Sequence, residues 1–169
     1  EKIEGDFSRG IGKINGEFER FFQMMFGGGT AKLAVLKERR PLAEEEDMPR
    51  QDGGVHIDVS LPRKKIRGLE MLSGGERSLT AVALLFALAS VSPPPFLVLD
   101  ETDAALDEAN SVRYADMLKE LSRKAQIITI THNRQTMQRA GILYGVTAGS
   151  DGVSRLLSLK LAEAEGLAR

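Results

Sequence analysis

Leu72-Ser73-Gly74-Gly75-Glu76-Arg77 sets a small hydroxyl and two glycines ahead of a long apolar stretch. That is the pattern of a helix mouth. The first N–H groups of a helix lack intrahelical acceptors and its N-terminus is partially positive, so such a mouth binds phosphate. Further on, Phe96-Leu97-Val98-Leu99-Asp100-Glu101 is an apolar strand ending in two carboxylates. Ligands of open parallel sheets sit beyond the carboxyl ends of strands. Asp100 is placed to bind magnesium, directly or through water, and Glu101 to orient and deprotonate an attacking water. His132, in Ile130-Thr131-His132-Asn133, follows the next apolar strand and is placed to contact a γ-phosphate or that water. The chemistry these residues fit is attack of water on the γ-phosphate of ATP.

Each motif also has a plainer reading. Ser73 and Glu76 form a Ser-x-x-Glu capping box, which needs no ligand. The two glycines between them favour a ligand, because glycine is poor early in a helix unless a backbone or ligand must come close. Gly74 and Gly75 then offer bare N–H groups beside the Ser73 hydroxyl, a good oxyanion site. Asp100 and Glu101 read alternatively as two acids starting a loop, and a lone histidine is usually nothing special. His56 lies on the polar face of an alternating strand and receives no role.

The loop that would cradle the rest of a nucleotide is missing. It requires Gly, four residues, then Gly-Lys-Ser or Gly-Lys-Thr. Gly27-Gly28-Gly29 is followed by Thr30-Ala31-Lys32, and Gly12-Lys13 leads into Ile14. The glycine run therefore reads as a helix stop and turn. The chain looks like half of a machine.

Bulk properties bound the rest. At 169 residues the chain fits one domain with a sizeable core, and its formal charge of −1 supplies no global basic field toward nucleic acid. The absence of cysteine excludes a disulfide framework and thiol or Cys-metal chemistry, and it fits a reducing cytosol. The longest apolar run, Ala81 to Ala89, is too short to span a bilayer. No signal peptide is visible and the first residue is Glu1, so the chain reads as a piece of something longer.

The elements that must position these residues follow from periodicity. Phe7, Ile11, Ile14, Phe18, Phe21 and Met25 step by four and three, the seam of a core-facing helix that also suits the end of a coiled coil. Ala31 to Glu38, with Leu33, Val35 and Lys37 on one face, and the alternating Val55 to Leu61 predict two partner strands. Between them, Arg39 to Gly54 is an acidic surface loop containing Glu44-Glu45-Glu46-Asp47. Arg63, Lys64, Lys65 and Arg67 read as solvated surface, with a phosphate or DNA contact as the minority reading. Gly74 to Ser90 predicts a helix buried on most sides. The continuous apolar run Phe96 to Leu99 predicts a strand of a parallel sheet covered on both faces, and Gln126 to Thr131 predicts another buried strand. Glu108 to Ser122 predicts a helix buried along Val112, Ala115, Leu118 and Leu121. A short helix at Gln135 to Ala140 precedes two strands, Ile142 to Ala148 and Val153 to Leu159, joined by the turn Ser150-Asp151-Gly152. Leu161 to Arg169 predicts a terminal helix.

In this order the pieces closely resemble the C-terminal half of the ATPase head of SMC (structural maintenance of chromosomes) proteins, members of the ABC-type ATPase superfamily. The resemblance runs over nearly the whole chain. It includes Phe26-Gly27-Gly28-Gly29, Leu72 to Glu76, Ala83-Leu84-Leu85-Phe86-Ala87 and Pro95-Phe96. It continues through Leu99 to Asn110, Thr131-His132-Asn133 and Leu143-Tyr144-Gly145-Val146-Thr147. Ser-Gly-Gly-Glu alone indicates only an ABC-type ATPase; Asp103-Ala104-Ala105-Leu106-Asp107 and Tyr144-Gly145-Val146-Thr147 point to SMC. Thr102 stands where many SMC chains have Val, Gly141 where many have Asp, and Arg77 for the usual Lys.

The resemblance implies an α/β fold: the C-terminal lobe of an ABC-type, P-loop NTPase-like head, with residues 1–26 as a coiled-coil-proximal helix. It implies strands with an acidic loop over 30–61, and signature, Walker B, D-loop and switch-histidine motifs over 72–159, all in one lobe spanning 1–169. Ser73, Gly74, Gly75 and Glu76 match the signature motif that contacts ATP on the opposite head. Asp100 matches the Walker B aspartate that serves Mg, Glu101 the catalytic base, Asp107 the D-loop aspartate and His132 the switch histidine. The Walker A loop lies in the N-terminal half of such heads, across a coiled coil and hinge, which accounts for its absence here. The implied cofactors are ATP and Mg. The implied partners are the N-terminal half of the same head, a second head joined by ATP, a kleisin subunit and DNA. The implied setting is chromosome condensation and segregation in a bacterial, nucleoid-associated cytoplasm. Two other readings stay open: the head of a related coiled-coil DNA-repair ATPase, and a lobe that docks a kleisin or DNA without activity of its own.

Overall fold

A computed structural model describes residues 2–36, 54–62 and 68–160. The chain divides into two compact units, Glu1–Pro94 and Pro95–Arg169.

The first unit opens with helix α1, Lys2–Phe26. Its seam is buried at the C-terminal end, where Phe18, Phe21 and Met25 are closed off from solvent, while Phe7 is exposed. Phe22, one step off the seam, is equally buried. The helix stops where predicted. Gly27 and Gly28 both donate to the Gln23 carbonyl, and φ is positive at Gly27, Gly28 and Gly29. A Cβ on Gly29 would lie 2.4 Å from the Ser60 carbonyl oxygen, so only glycine fits this approach.

Strands β1 (Thr30–Leu36) and β2 (Gly54–Ser60) pair antiparallel from Thr30↔Ser60 to Leu36↔Gly54. The Asn15 side chain pins α1 to β1, donating to the Leu33 carbonyl at 3.0 Å and accepting from the Leu33 N–H at 2.6 Å. After a short 3₁₀ turn at Leu69–Met71 comes helix α2, Gly74–Val91. Phe86 of α2 meets Phe21 of α1 edge to face, with ring centroids 5.9 Å apart. By length and composition α2 is apolar enough to cross a membrane. Its capped start and its packing against α1 make it a core helix. It is not buried on most sides, however: Leu85 and Leu88 are exposed.

The second unit carries β3 (Phe96–Asp100), α3 (Glu108–Leu121), β4 (Gln126–Ile130), a one-turn α4 (Arg134–Met137), β5 (Ile142–Ala148) and β6 (Ser154–Lys160). Strands β3 and β4 pair parallel from Phe96↔Gln126 to Asp100↔Ile130. Strands β5 and β6 form an antiparallel hairpin. Gly149 and Gly152 close its turn, with the Gly149 N–H donating to the Val153 carbonyl. On α3, Ala115, Leu118 and Leu121 are buried as predicted, joined by Tyr114 and Met117. The fourth helix is shorter than the sequence implies, because Asn133 caps it at Arg134 and the chain turns after Met137.

The parallel pairing was expected, but burial on both faces is not found. Phe96, Val98, Ile128 and Ile130 are each about half exposed on one face, at 59%, 50%, 46% and 51%. On the other face Leu99 is only 2% exposed. The pattern is that of a sheet buried on both sides, and among the described residues one side stays bare. Lys37, the acidic loop over 39–53, the basic run over 63–67 and the terminal helix over 161–169 lie outside the described residues.

Candidate functional site

The mouth of α2 is a complete capping box. The Ser73 hydroxyl accepts from the Glu76 N–H at 3.3 Å, and the Ser73 N–H donates to Glu76 Oε2 at 2.9 Å. The plain reading of these two residues therefore holds as far as it goes. It leaves the glycines unexplained. A Cβ on Gly74 or Gly75 would meet nothing within 4 Å, and both residues are exposed, as is Ser73. Among the described residues no neighbour requires glycine there, although glycine is a weak helix former.

In the second unit the carboxyl ends of β3 and β4 bring Asp100, Glu101 and His132 together. The Glu101 N–H donates to the Ile130 carbonyl at 2.9 Å, adding one rung beyond the last ladder pair. Glu101 then turns into the left-handed region with φ of 48°, the one non-glycine residue to do so among the described residues. Such a conformation costs on the order of 1 kcal/mol and recurs at functional sites. Glu101 Oε1 lies 3.4 Å from His132 Nδ1, with both side chains mostly exposed. An exposed pair of this kind adds little stability. Asp100 is exposed beside them. Among the described residues no cluster of three or more acids, histidines or cysteines is close enough to hold a metal ion on protein ligands alone. Magnesium is commonly held by one or two carboxylates plus waters and substrate phosphates, so Asp100 fits that limited role.

Asp107 is the N-cap of α3, accepting from the Asn110 N–H at 2.8 Å and from the Asn110 amide at 3.1 Å. Ser73 to Glu76 belong to the first unit, and Asp100, Glu101 and His132 to the second.

The polar cluster beneath this surface carries no local signal in the sequence. Asp103 is 1% exposed. Its carboxylate accepts from the Thr131 hydroxyl at 2.8 Å and from the Thr136 hydroxyl. Thr102 hydrogen-bonds to the phenol of Tyr114, which is fully buried. An acid in a loop string carries no local signal that it will be buried. Only the spacing of Thr131 and Thr136 around His132 hints at a shared partner.

Burial raises the Tyr114 phenol from 10.0 to about 12; the Thr102 hydrogen bond opposes that shift and the nearby Asp103 charge adds to it. The phenol holds its proton longer folded than unfolded, so its contribution to stability is complete below the unfolded pKa. Stability should therefore fall as pH rises from about 10 to about 12, by up to about 3 kcal/mol. Tyr114→Phe should flatten this alkaline loss in denaturant melts followed across that range. An unchanged slope would show that Tyr114 does not carry it.

Residues 31–155 match the family model described as RecF/RecN/SMC N terminal domain. The chain is 45% identical over 163 residues to the chromosome partition protein Smc of Bacillus subtilis (strain 168), a match covering 96% of this chain and 13% of that protein. The chain thus spans about one-eighth of the length of the curated relatives it matches. Among solved structures, it is similar to a chain from work on ATP-driven dimerization and DNA-stimulated activation of SMC ATPases. That match has a TM-score of 0.75 at 35% identity and covers 97% of this chain and 94% of the other. It is also similar to an Smc head bound to the C-winged helix domain of ScpA, with a TM-score of 0.80 at 36% identity, covering 96% of this chain and 47% of that one.

Proposed function

Because this chain belongs to the RecF/RecN/SMC family, we propose that it is the C-terminal half of an SMC ATPase head. In this reading it hydrolyses ATP only when joined to the half that carries the phosphate loop and when two heads meet. The matching family model is described as an N terminal domain. The C-terminal assignment is supported by the chain's own motifs: an acid pair after a strand, a signature-like helix mouth, and no Gly-x-x-x-x-Gly-Lys-Ser/Thr anywhere. The match to about half of a solved Smc head agrees with a half-head, without saying which half.

One observation carries the reading. A parallel strand pair delivers Asp100, Glu101 and His132 to one end while its apolar face, Phe96, Val98, Ile128 and Ile130, lies bare. A complete sheet would cover that face, and the missing half is the natural cover. ATP is the nucleotide of the family, and Mg would be held by Asp100 with waters and phosphate oxygens, supplying charge neutralisation at the γ-phosphate. Glu101 takes the proton of the attacking water, and His132, 3.4 Å away, steadies that carboxylate and the attacked phosphate. Ser73, Gly74, Gly75 and Glu76 offer a hydroxyl and N–H groups to the ATP of a second head, and Asp107 lies at the same head–head interface.

A kleisin subunit docks on the assembled head by analogy with the Smc head bound to ScpA. DNA, chromosome partition and a nucleoid-associated cytoplasmic setting follow from the same kinship. The relatives named are chromosome partition Smc proteins, which favours SMC over a DNA-repair head. A lobe that only docks partners is the state of this half alone.

The test is calorimetric titration of this chain with Mg-ATP. Binding should be weak at best, with no turnover. Micromolar binding with turnover by the chain alone would overturn the half-site reading.

A further inference from the structure

We propose that Asp103 is a positioning residue that sets His132 against Glu101. The proposal rests on the reading of Glu101 and His132 as parts of an ATP-hydrolysing site. His132 is exposed and is held through its neighbours. Thr131, just before it, donates its hydroxyl to the Asp103 carboxylate at 2.8 Å and accepts the Asn133 N–H at 2.9 Å. Thr136, four residues after it, donates its hydroxyl to Asp103 Oδ2. Asn133 caps α4 by accepting the Gln135 N–H at 2.9 Å, and its amide donates to Ser111 of α3 at 2.8 Å. One buried carboxylate thus grips the histidine loop on both sides of His132.

The same carboxylate belongs to the loop that carries Glu101. Asp103 is two residues on, and its carbonyl accepts the Leu106 N–H at 3.1 Å. Thr102, between them, is tied to Tyr114 of α3. The acid loop and the histidine loop therefore meet at Asp103, beneath the 3.4 Å contact of His132 with Glu101.

Packing alone does not favour this arrangement. Among the described residues no cation pairs with Asp103, so its charge is offset by neutral hydroxyls. A buried carboxylate so placed costs stability relative to an apolar side chain. What it provides is geometry: two hydroxyl donors converging on one acceptor fix both loops in one arrangement. Small misplacements of catalytic groups carry large rate penalties.

The experiment uses the assembled head, this chain joined to the phosphate-loop half, with histidine isotopically labelled in this chain alone. It carries two histidines, so the His132 ring resonance can be assigned against His56. Asp103→Asn reverses one of the two acceptor positions into a donor. It should lower kcat about ten- to a hundredfold, with KM for ATP and melting temperature unchanged, and should shift the His132 resonance. Thr136→Val, which deletes one donor, should do the same in weaker form, and Thr136→Ser, which keeps the hydroxyl, should restore both kcat and the resonance. This pair keeps the test decisive if Asp103→Asn does not fold. A His132 resonance and kcat unchanged in a folded Asp103→Asn or Thr136→Val head would overturn the proposal. So would a kcat that falls only in step with melting temperature, or no rescue by Thr136→Ser. If the unsubstituted assembled head hydrolyses no ATP, the functional reading fails instead, and the resonance still reports whether Asp103 sets His132.

Discussion

Glu101→Gln in the assembled head should spare ATP binding and reduce hydrolysis by about 10²–10⁴-fold. The amide keeps the size of the side chain and its hydrogen-bonding reach but cannot accept the proton of the attacking water. The backbone should tolerate the change. Glu101 is held by its N–H on the Ile130 carbonyl, and its carbonyl accepts the Ala104 N–H, so the turn with φ of 48° does not depend on the carboxylate. The exposed contact with His132 contributes little to folding. ATP that binds and is not hydrolysed should hold two heads together, and sedimentation should show a nucleotide-dependent dimer that persists. Parental turnover in this variant would mean that Glu101 is not the base, and Asp100 would then be the carboxylate to examine.

Ser73→Arg should abolish ATP-dependent dimerisation while each single head still binds ATP. Ser73 is exposed and the space over Gly74 and Gly75 is open, so the long side chain fits without disturbing this chain. Losing the hydroxyl that accepts from Glu76 costs about 1 kcal/mol of capping. The large effect comes from outside. If the mouth of α2 faces the nucleotide of a second head, an arginine fills the approach that the two glycines leave clear. In a two-fold dimer the obstruction is present at both composite sites. Filter binding of ATP and sedimentation of the dimer, both in the Glu101→Gln background, separate the two steps. Normal dimers carrying Ser73→Arg would reduce this motif to a capping box.

Local signals wrote most of the fold into the sequence. The glycine run had to end α1, and Gly29 lies so close to the Ser60 carbonyl that no other residue fits. The unbroken apolar run at Phe96 and the Ile-rich stretch at Gln126 announced a parallel pair, and Ser150-Asp151-Gly152 announced the hairpin. Burial was less legible, and for a physical reason. Phe96, Val98, Ile128 and Ile130 carry the pattern of a doubly covered sheet, yet among the described residues one face of the pair is left exposed, the face that the proposed second half of the head would cover. Phe22 is as buried as the seam around it although it breaks the step, since the end of α1 is wrapped on more than one side.

The candidate site divides in the same way. Asp100, Glu101 and His132 were readable because each follows an apolar strand, and parallel pairing brings such ends together. Asp103 was not readable as a buried anchor, because its partners Thr131 and Thr136 lie 28 and 33 residues away. The open space at Gly74 and Gly75 was not readable either. The glycines suggested a close neighbour, and among the described residues nothing lies within 4 Å of a Cβ there.

The most direct measurement is steady-state ATP turnover by this chain alone, by the phosphate-loop half alone, and by the two assembled. Neither half alone should turn over ATP, and the assembled head should do so cooperatively, at a rate that rises with head concentration as two heads meet. Turnover by this chain alone, or an assembled and folded head that binds ATP yet never hydrolyses it, would contradict this reading.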